Sequence, residues 1–484
     1  MSSSDGKPIL VWLRNTFRLH DNEPLFRASQ LGRPVIPVMI LDPDDPMGAA
    51  SRWWLHHSLV AFEQSLRVLG SRLILRRGDP LAVLHALMDE TGADTVYCNA
   101  RYEPSERLLT EQLIQDGHAK SFECQVFQTQ LLSVPGTINN KSGQPYKVFT
   151  PYWRAVQEVL PFITTYPVVM SLQVPTAWPA TEAIESWGLL PSIPWDQSFY
   201  AHWQPGETGA RQQLAIFLND VVAQYQTGRD QPGVSGTSRL SPHLHFGEIS
   251  VREVMQAVNA IQSNTPQVAS HTQCYLSELA WRDFAHHLLF HFPQMVDEPL
   301  NDKFRAFDWA DADSASEWLT RWQQGQTGYP IVDAGMRELW QTGWMHNRVR
   351  IIVGSFLVKH LKIHWREGAQ WFWDTLVDAD LASNTMGWQW IAGCGADAAP
   401  YFRIFNPMLQ GQKFDSAGAY VRRWIPELSG LSASTIHEPW KLYAAKPLEL
   451  VSKGVVLGET YPFPVVDHAE AREKALAAYK RLSQ

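Results

Sequence analysis

The fold class that the sequence predicts is an α/β domain on a doubly wound, parallel five-stranded sheet, then a long linker and a larger all-helical domain. Three observations predict it. Strand-like and helix-like segments alternate through the first third of the chain. Proline and tryptophan break up the middle. Helical periodicity then runs almost unbroken to the C-terminus. At 484 residues the chain is too long for one ordinary core. The expected segments are 1–135, 136–203 and 204–484.

The elements follow in order. "PILVWLRN" is a short apolar run of the kind a buried parallel strand needs. "PVIPVMILDP", "SRLILRRGDP", "DTVYCNARY" and "CQVFQTQLL" repeat the pattern. Between them lie helical periods such as "SRWWLHHSLVAFEQSLRVLG" and "PLAVLHALMDETG", each stopped by glycine. Such alternation specifies a parallel sheet. No G-x-G-x-x-G opens any of these helices, which argues against a dinucleotide held there in the usual way. From Pro151 to His202 strand signals vanish and the stretch reads as a linker, longer than most connections in compact domains. Helical periods resume in "GARQQLAIFLNDVVAQY", "VREVMQAVNAIQ", "QCYLSELAWRDFAHHLLFHF", "AGMRELWQTG", "NRVRIIVGSFLVKHL" and "AQWFWDTLVDADLASN", the last read as one helix.

Composition limits the function classes. Hydrophobic residues make up 45% and charged residues 19%, as in a folded soluble protein. No run approaches a membrane span and the start lacks a signal peptide's apolar core. Cys98, Cys124, Cys274 and Cys394 have neither metal nor disulfide spacing, so a reducing, cytoplasmic compartment is expected and no metal. A net charge of −8 argues against general stickiness to nucleic acid, though not against a local basic strip. The 21 tryptophans are the anomaly. Most serve an aromatic core; a smaller share can line a ring-shaped ligand or carry electrons.

Four stretches carry chemistry. "GVSGTSRLSPHLHFG" places Thr237, Ser238 and Ser241 in a glycine-flanked loop before a helix, suited to a phosphate or simply to helix capping. "YLSELAWRDF" puts Glu278, Trp281 and Arg282 on one helix face, as a cavity wall or a surface ion pair. In "TGWMHNRVRIIVGSF", Asn347, Arg350 and Ile351 share a face from which Arg348 turns away. Arg350 calls for a buried carboxylate, and Asp378 or Asp380 is the natural partner. In "DTLVDADLASNTMGWQWIAG", Asn384 and Trp388 are i and i+4, while Trp390 points elsewhere.

At these residues the chain resembles the photolyase–cryptochrome family. The stretches are "WLRNTFRLHDN", "TSRLSP", "SELAWRDF", "TGYPIVDAGMRELWQTGWMHNRVRIIVGSFLVK", "DADLASNTMGWQW" and "APYFRIFNP". The likeness runs over nearly the whole chain and is strongest toward bacterial cyclobutane pyrimidine dimer photolyases. "RWWLHHSL", "QWFWDTLVDADL" and "AYVRRWIPEL" lean toward the branch that also resembles plant cryptochromes.

The resemblance implies FAD in the helical domain, active as FADH−, and light-driven electron donation to a flipped-out pyrimidine dimer. Around FAD it implies Tyr225, Thr237, Ser238, Arg239, Leu240, Ser241, Tyr275, Arg350, Asp378, Ala379, Asp380 and Asn384. Asn384 faces flavin N5, where an amide adds no charge; plant cryptochromes carry an aspartate there, which by like-charge logic disfavours an anionic flavin. Glu278, Asn347, Trp281 and Trp390 are implied for the dimer pocket, with Asn384 beside them. Arg229, Arg282, Arg348, Arg403, Gln410 and Lys413, with Glu278 and Asn347, are implied for DNA. Trp388, Trp365 and Trp309 match the family's chain of three indoles from flavin to surface. UV-damaged DNA is the implied partner and a monomer the expected state. An antenna chromophore is implied too. Glu103 and Glu106, at the exit of a parallel strand, suit the amines of a methenyltetrahydrofolate, or simply favour a helix start.

The chain departs from the family pattern at two places. Ile351 stands where dimer photolyases carry methionine and plant cryptochromes an aliphatic residue, and Thr16 stands where aspartate is common. His346 lacks the second histidine that repair of the six-four photoproduct requires. The leading reading is the repair enzyme; the alternatives are a cryptochrome that signals through a protein partner and a non-catalytic DNA-binding flavoprotein.

Overall fold

A computed structural model describes residues 6–398 and 402–482, apart from the side chains of 312–314. The first three residues of "APYFRIFNP" lie outside the described residues. The chain forms two compact units: residues up to Asp220 with Ser238–Pro293, and Val221–Thr237 with the chain from Gln294 onward.

The first unit is built on five parallel strands: β1 (Ile9–Trp12), β2 (Val35–Leu41), β3 (Ile74–Arg77), β4 (Thr95–Asn99) and β5 (Glu123–Phe127). Their order is β3-β2-β1-β4-β5, with Ile9 opposite Val35 on one side and Thr95 on the other. β1 is the most apolar run and takes the centre, where both faces are covered; Ile9, Leu10 and Val11 are wholly buried. Helices Glu23–Ser29, Ala49–Val68, Pro80–Thr91 and Pro104–Lys120 make the crossovers. Asp79 caps the third by accepting from the Ala82 N–H at 2.8 Å, and Gly92 ends it at φ +71°.

The stretch 136–203, expected as a structureless linker, is part of this unit and has work to do. It holds the helix Phe149–Val159, which buries Phe149, Tyr152 and Val156. Pro151 hid that period, yet proline is tolerated in a first turn. Thr181 and Glu182 then bond along the open side of β3: Leu75 N–H donates to Thr181 Oγ1 at 2.9 Å, and Glu182 N–H to Leu75 O at 2.9 Å. An edge strand is thereby covered.

The helices Val251–Asn264 and Ala269–His291 also belong to the first unit. Buried polar bonds tie them in. Trp54 Nε1 donates to Glu248 Oε1 at 3.0 Å, Arg252 pairs with Asp21, and Asp283 Oδ2 accepts from Ser133 N–H at 2.7 Å. Burial pushes the Asp283 carboxyl up to about 6, against the pull of Arg282 and of the Ser133 donors. A raised carboxyl contributes stability that is present below the unfolded value near 4 and lost as pH rises through about 6. Asp283→Asn should therefore melt above wild type at pH 8, by roughly 2–3 kcal/mol, with the gap closing toward pH 4. Melting curves at the two pH values check this; a gap that does not change with pH defeats it.

The second unit is helical. Pro330–Thr342, Asn347–Ser355, Trp365–Thr375 and Leu381–Ala392 surround one core with Trp322, Trp365 and Trp388 all but wholly buried. The segment "AQWFWDTLVDADLASN", expected as one helix, is two. The first ends at Thr375 with Leu376 extended, and Val377 N–H donates to Gly343 O at 2.8 Å. Asp380 starts the second by accepting from Ser383 N–H at 2.8 Å. Apolar period alone cannot show such a break, because a capping aspartate and an interior aspartate look alike in sequence. Among the described residues no helix is long and apolar enough to cross a membrane, and no cluster of His, Cys, Asp and Glu could hold a metal.

Candidate functional site

In the first unit the candidate residues lie on a loop and a helix. Arg239 takes φ +52°, a left-handed conformation costly for a side chain with a Cβ. Its guanidinium lies 4.4 Å over the ring of Trp203. Gln213 Nε2 holds the Ser238 carbonyl at 2.9 Å, and Leu240 is fully buried. Tyr275 packs 4.3 Å from the ring of Phe217, and burial pushes its phenol up. One turn on, Glu278 is half-buried. Trp281 stacks on Phe149 with centroids 3.8 Å apart and planes within 9°, and the ring of Phe284 lies edge-on to it at 5.7 Å. Phe149 could not be found from the sequence, since it lies in the stretch read as linker. Arg282 does not pair with Glu278 here: its Nη1 donates to Gln130 O at 3.1 Å and its Nη2 to Leu244 O at 3.5 Å.

Arg14, just past β1, pairs with Glu106, and Arg101, just past β4, pairs with Glu103 at 2.8 Å. β1 and β4 are the neighbours where the strand order reverses, the usual place for a ligand in a doubly wound sheet. Burial raises the Glu106 carboxyl, but Arg101 and Arg14 outweigh it and hold the group below the carboxylate range. Both acids expected to greet antenna amines are already matched by arginines.

In the second unit the carboxylate question has an answer. Arg350 Nη2 donates to both oxygens of Asp378, at 3.1 and 2.8 Å, and its Nε to Met345 O at 2.8 Å. Asp380 caps its helix instead. Asn384 Nδ2 donates to Ala369 O at 2.9 Å. That bond orients the amide, so Oδ1 is the group left as an acceptor, and it has no partner among the described residues. Nearby on the same helix, a Cβ added at Gly387 would meet nothing within 4 Å. An unfilled acceptor beside open space fits a flat ring with a hydrogen to donate.

Trp388 and Trp390 separate as their spacing predicts. Trp388 is 1% exposed, 5.0 Å from the ring of Phe372, over Gly368, where an added Cβ would come within 2.1 Å of the indole. Trp390 is half-buried and donates through Nε1 to Asp397 O at 3.1 Å. Trp365 is 2% exposed and Trp309 half-buried, so the three indoles of the expected chain grade from core to surface.

The basic residues gather in part. Arg348 pairs with Asp230 at 2.7 Å and lies 4.6 Å over Phe414; Lys413 lies 4.9 Å over the same ring. Gln410 shares the helix Pro407–Phe414. Arg229 sits over Tyr225 at 5.7 Å, and the close approach of Gly236 to the Gly228 carbonyl shapes the loop that leads to Thr237. Arg403 is exposed beside Phe405. His346 caps the helix Asn347–Ser355 through the Arg348 N–H, and burial pulls its imidazole down to about 4, so it is neutral. Asn347 opens that helix and Ile351 is half-buried one turn along.

Comparison with known proteins identifies the family. Residues 9–172 match the model of the DNA photolyase family, and 275–481 that of the FAD binding domain of DNA photolyase. The chain is 48% identical to a deoxyribodipyrimidine photo-lyase of Agrobacterium fabrum, over 98% of this chain and 97% of that one. It is 35% identical to Cryptochrome-1 of Arabidopsis thaliana over 98% of this chain and 70% of that one. Among solved structures it superposes on a class III photolyase of Agrobacterium tumefaciens with a TM-score of 0.95 at 48% identity, covering 100% and 99% of the two chains. On a Synechocystis cryptochrome the TM-score is 0.88 at 30% identity, covering 99% and 100%. With both parts matched in order and the Agrobacterium relative aligned nearly end to end, the chain belongs to the photolyase–cryptochrome family, and residues 275–481 are its FAD-binding domain.

Proposed function

We propose that the protein is a light-dependent DNA repair enzyme that splits cyclobutane pyrimidine dimers. Bound FAD, fully reduced, supplies the light-driven electron. The chain's own residues bind, orient and neutralise. Asn384 carries the reading: its amide offers an uncharged acceptor, held by Ala369 O, where an acid would repel an anionic ring. The Arg350–Asp378 pair sets a fixed dipole in the same unit, Ser238, Arg239, Leu240 and Ser241 supply hydroxyls and N–H groups for the phosphates and ribityl chain, as do Tyr225 and Thr237, and Tyr275 packs its ring on the flavin.

A dimer is cheap to extrude because it pairs and stacks badly. Trp281 and Trp390 offer it apolar faces, Asn347 donates to one base, and Glu278 hydrogen-bonds a carbonyl of the other and steadies the charge the dimer takes up. Arg229, Arg282, Arg348, Arg403, Gln410 and Lys413 face phosphates, a basic strip on an acidic protein. Cytoplasmic location and a monomeric state go with this reading.

The test is to illuminate chemically reduced protein with dimer-containing single-stranded DNA and follow the return of thymine absorbance. No return, with flavin bound and DNA bound, would instead favour the cryptochrome reading, for which Ile351 and the 35% identity to a plant cryptochrome speak. Glu278→Gln should keep flavin content and DNA affinity while lowering the quantum yield of repair. Wild-type yield in that variant removes Glu278 from its role. For the antenna, the Arg14–Glu106 and Arg101–Glu103 pairs set donors and acceptors side by side at the strand-order reversal, which suits a pterin such as methenyltetrahydrofolate. An absorption band at the longer wavelength of a deazaflavin, in protein from its native host, would exclude that assignment.

A further inference from the structure

Three rings stand in a row in the second unit. The His364 imidazole lies 4.9 Å from the ring of Trp309, edge-on at 61°, and 5.5 Å from that of Trp365, tilted by 32°. Trp365 is core; His364 and Trp309 are half-buried.

This row is fixed from two sides. His364 Nδ1 accepts from Arg366 N–H at 3.1 Å and so caps the helix Trp365–Thr375. An acceptor at Nδ1 puts the ring proton on Nε2. On the other side, both neighbours of Trp309 are tied to Lys362. Ala310 N–H donates to Lys362 O at 2.8 Å, and Lys362 Nζ pairs with Asp308 at 3.0 Å. Lys362 turns the chain at φ +55°, two residues before His364. The backbone that carries Trp309 is thus clamped to the turn that carries His364.

We propose that His364 is a positioning residue for electron transfer, its ring bridging Trp365 and Trp309 so that an electron lost from Trp365 is replaced from Trp309. The inference rests on reading Trp388, Trp365 and Trp309 as a chain. Each step moves one electron. Oxidised Trp365 returns to a neutral indole, Trp309 is oxidised, and its indole N–H proton goes to water. Bound FAD, oxidised and excited by light, would draw the electron at the far end, and a soluble thiol would return one electron and one proton to Trp309. Burial first, then the Arg366 charge, pulls the imidazole down to about 4. At neutral pH it therefore places no cation beside an indole that is losing an electron. With Nε2 carrying its proton and Nδ1 engaged in the cap, it is no base for the Trp309 proton either; its contribution is contact.

A helix cap is the competing role, and two substitutions part them. His364→Asn keeps a good capping oxygen and removes the ring; His364→Phe keeps a ring and removes the cap. With FAD bound, His364→Asn should melt like wild type yet lose the long-lived Trp309 radical signal after a laser flash. His364→Phe should melt lower and keep that signal. In the dark, nitrogen NMR of labelled histidine should show a resonance of the Nε2–H tautomer, with ring protons shifted by two indoles, that vanishes in His364→Asn. Retention of the radical in His364→Asn, its loss in His364→Phe, or an Nδ1–H tautomer overturns the proposal. Trp309→Phe is the control. If it removes the signal while His364→Asn does not, only the role of His364 fails. If it leaves the signal unchanged, the chain of indoles fails and the bridge with it.

Discussion

Replacing Arg350 by methionine should destabilise the protein by about 3–5 kcal/mol, the usual cost of stranding one member of a buried ion pair, and should empty it of flavin. The Asp378 side chain is only 4% exposed, and Arg350 neutralises both its oxygens from one nitrogen. The same guanidinium holds the Met345 carbonyl, one residue before the cap His346. Methionine fills the volume but strands the carboxylate. The second substitution Asp378→Asn should recover most of the lost stability, because no buried charge is left to neutralise. It should not recover the flavin, on the proposed reading that the charged pair lies beside the flavin ring. Melting curves and the flavin-to-protein absorbance ratio of the single and double variants decide this. A single variant that melts with wild type, or a double variant that rebinds FAD, contradicts the account.

The second large effect separates two tryptophans of one short helix. Two residues of a helix are about 200° apart, so Trp388 and Trp390 face different surroundings. Trp388 is sealed against Gly368, Phe372 and Trp322, on the stripe of Asn384. Trp390 is half-buried and anchored by its N–H to Asp397 O. On the proposed reading of Trp388 as the flavin's first electron donor, Trp388→Phe should abolish photoreduction of oxidised FAD, while chemically reduced protein still repairs. Trp390→Ala should leave photoreduction running and weaken dimer-DNA binding by roughly 1–3 kcal/mol, the worth of one base–aromatic stack. Assaying each variant for both properties makes four results. Losses shared by both variants, or exchanged between them, would show that the roles are misassigned.

What the sequence by itself determined is local. Apolar runs bounded by turn residues located all five strands; in β1, β2 and β4 burial on both faces leaves no room for polar alternation, whereas β3 ends in two arginines and β5 alternates at the sheet edge. Helical spacing put Asn384 and Trp388 on one stripe and set Trp390 apart, because a helix has a single period. Arg350 stood out as the cation for Asp378 or Asp380, because a buried carboxylate needs one. The tertiary structure decided what spacing does not reach. It paired Arg350 with Asp378, the partner that the family resemblance implied and spacing alone left open, while Asp380 caps a helix whose start apolar periodicity hides. It stacked Phe149 on Trp281, joined Ser133 to Asp283 and Asp230 to Arg348, and set His364 between Trp309 and Trp365. It also gave the stretch read as a linker a helix and an edge strand to cover. The reason is one of range. Periodicity and capping act over a turn or two of chain, whereas these pairs are selected by which surfaces meet when a core closes, and the residues that meet there leave no mark on one another's sequence.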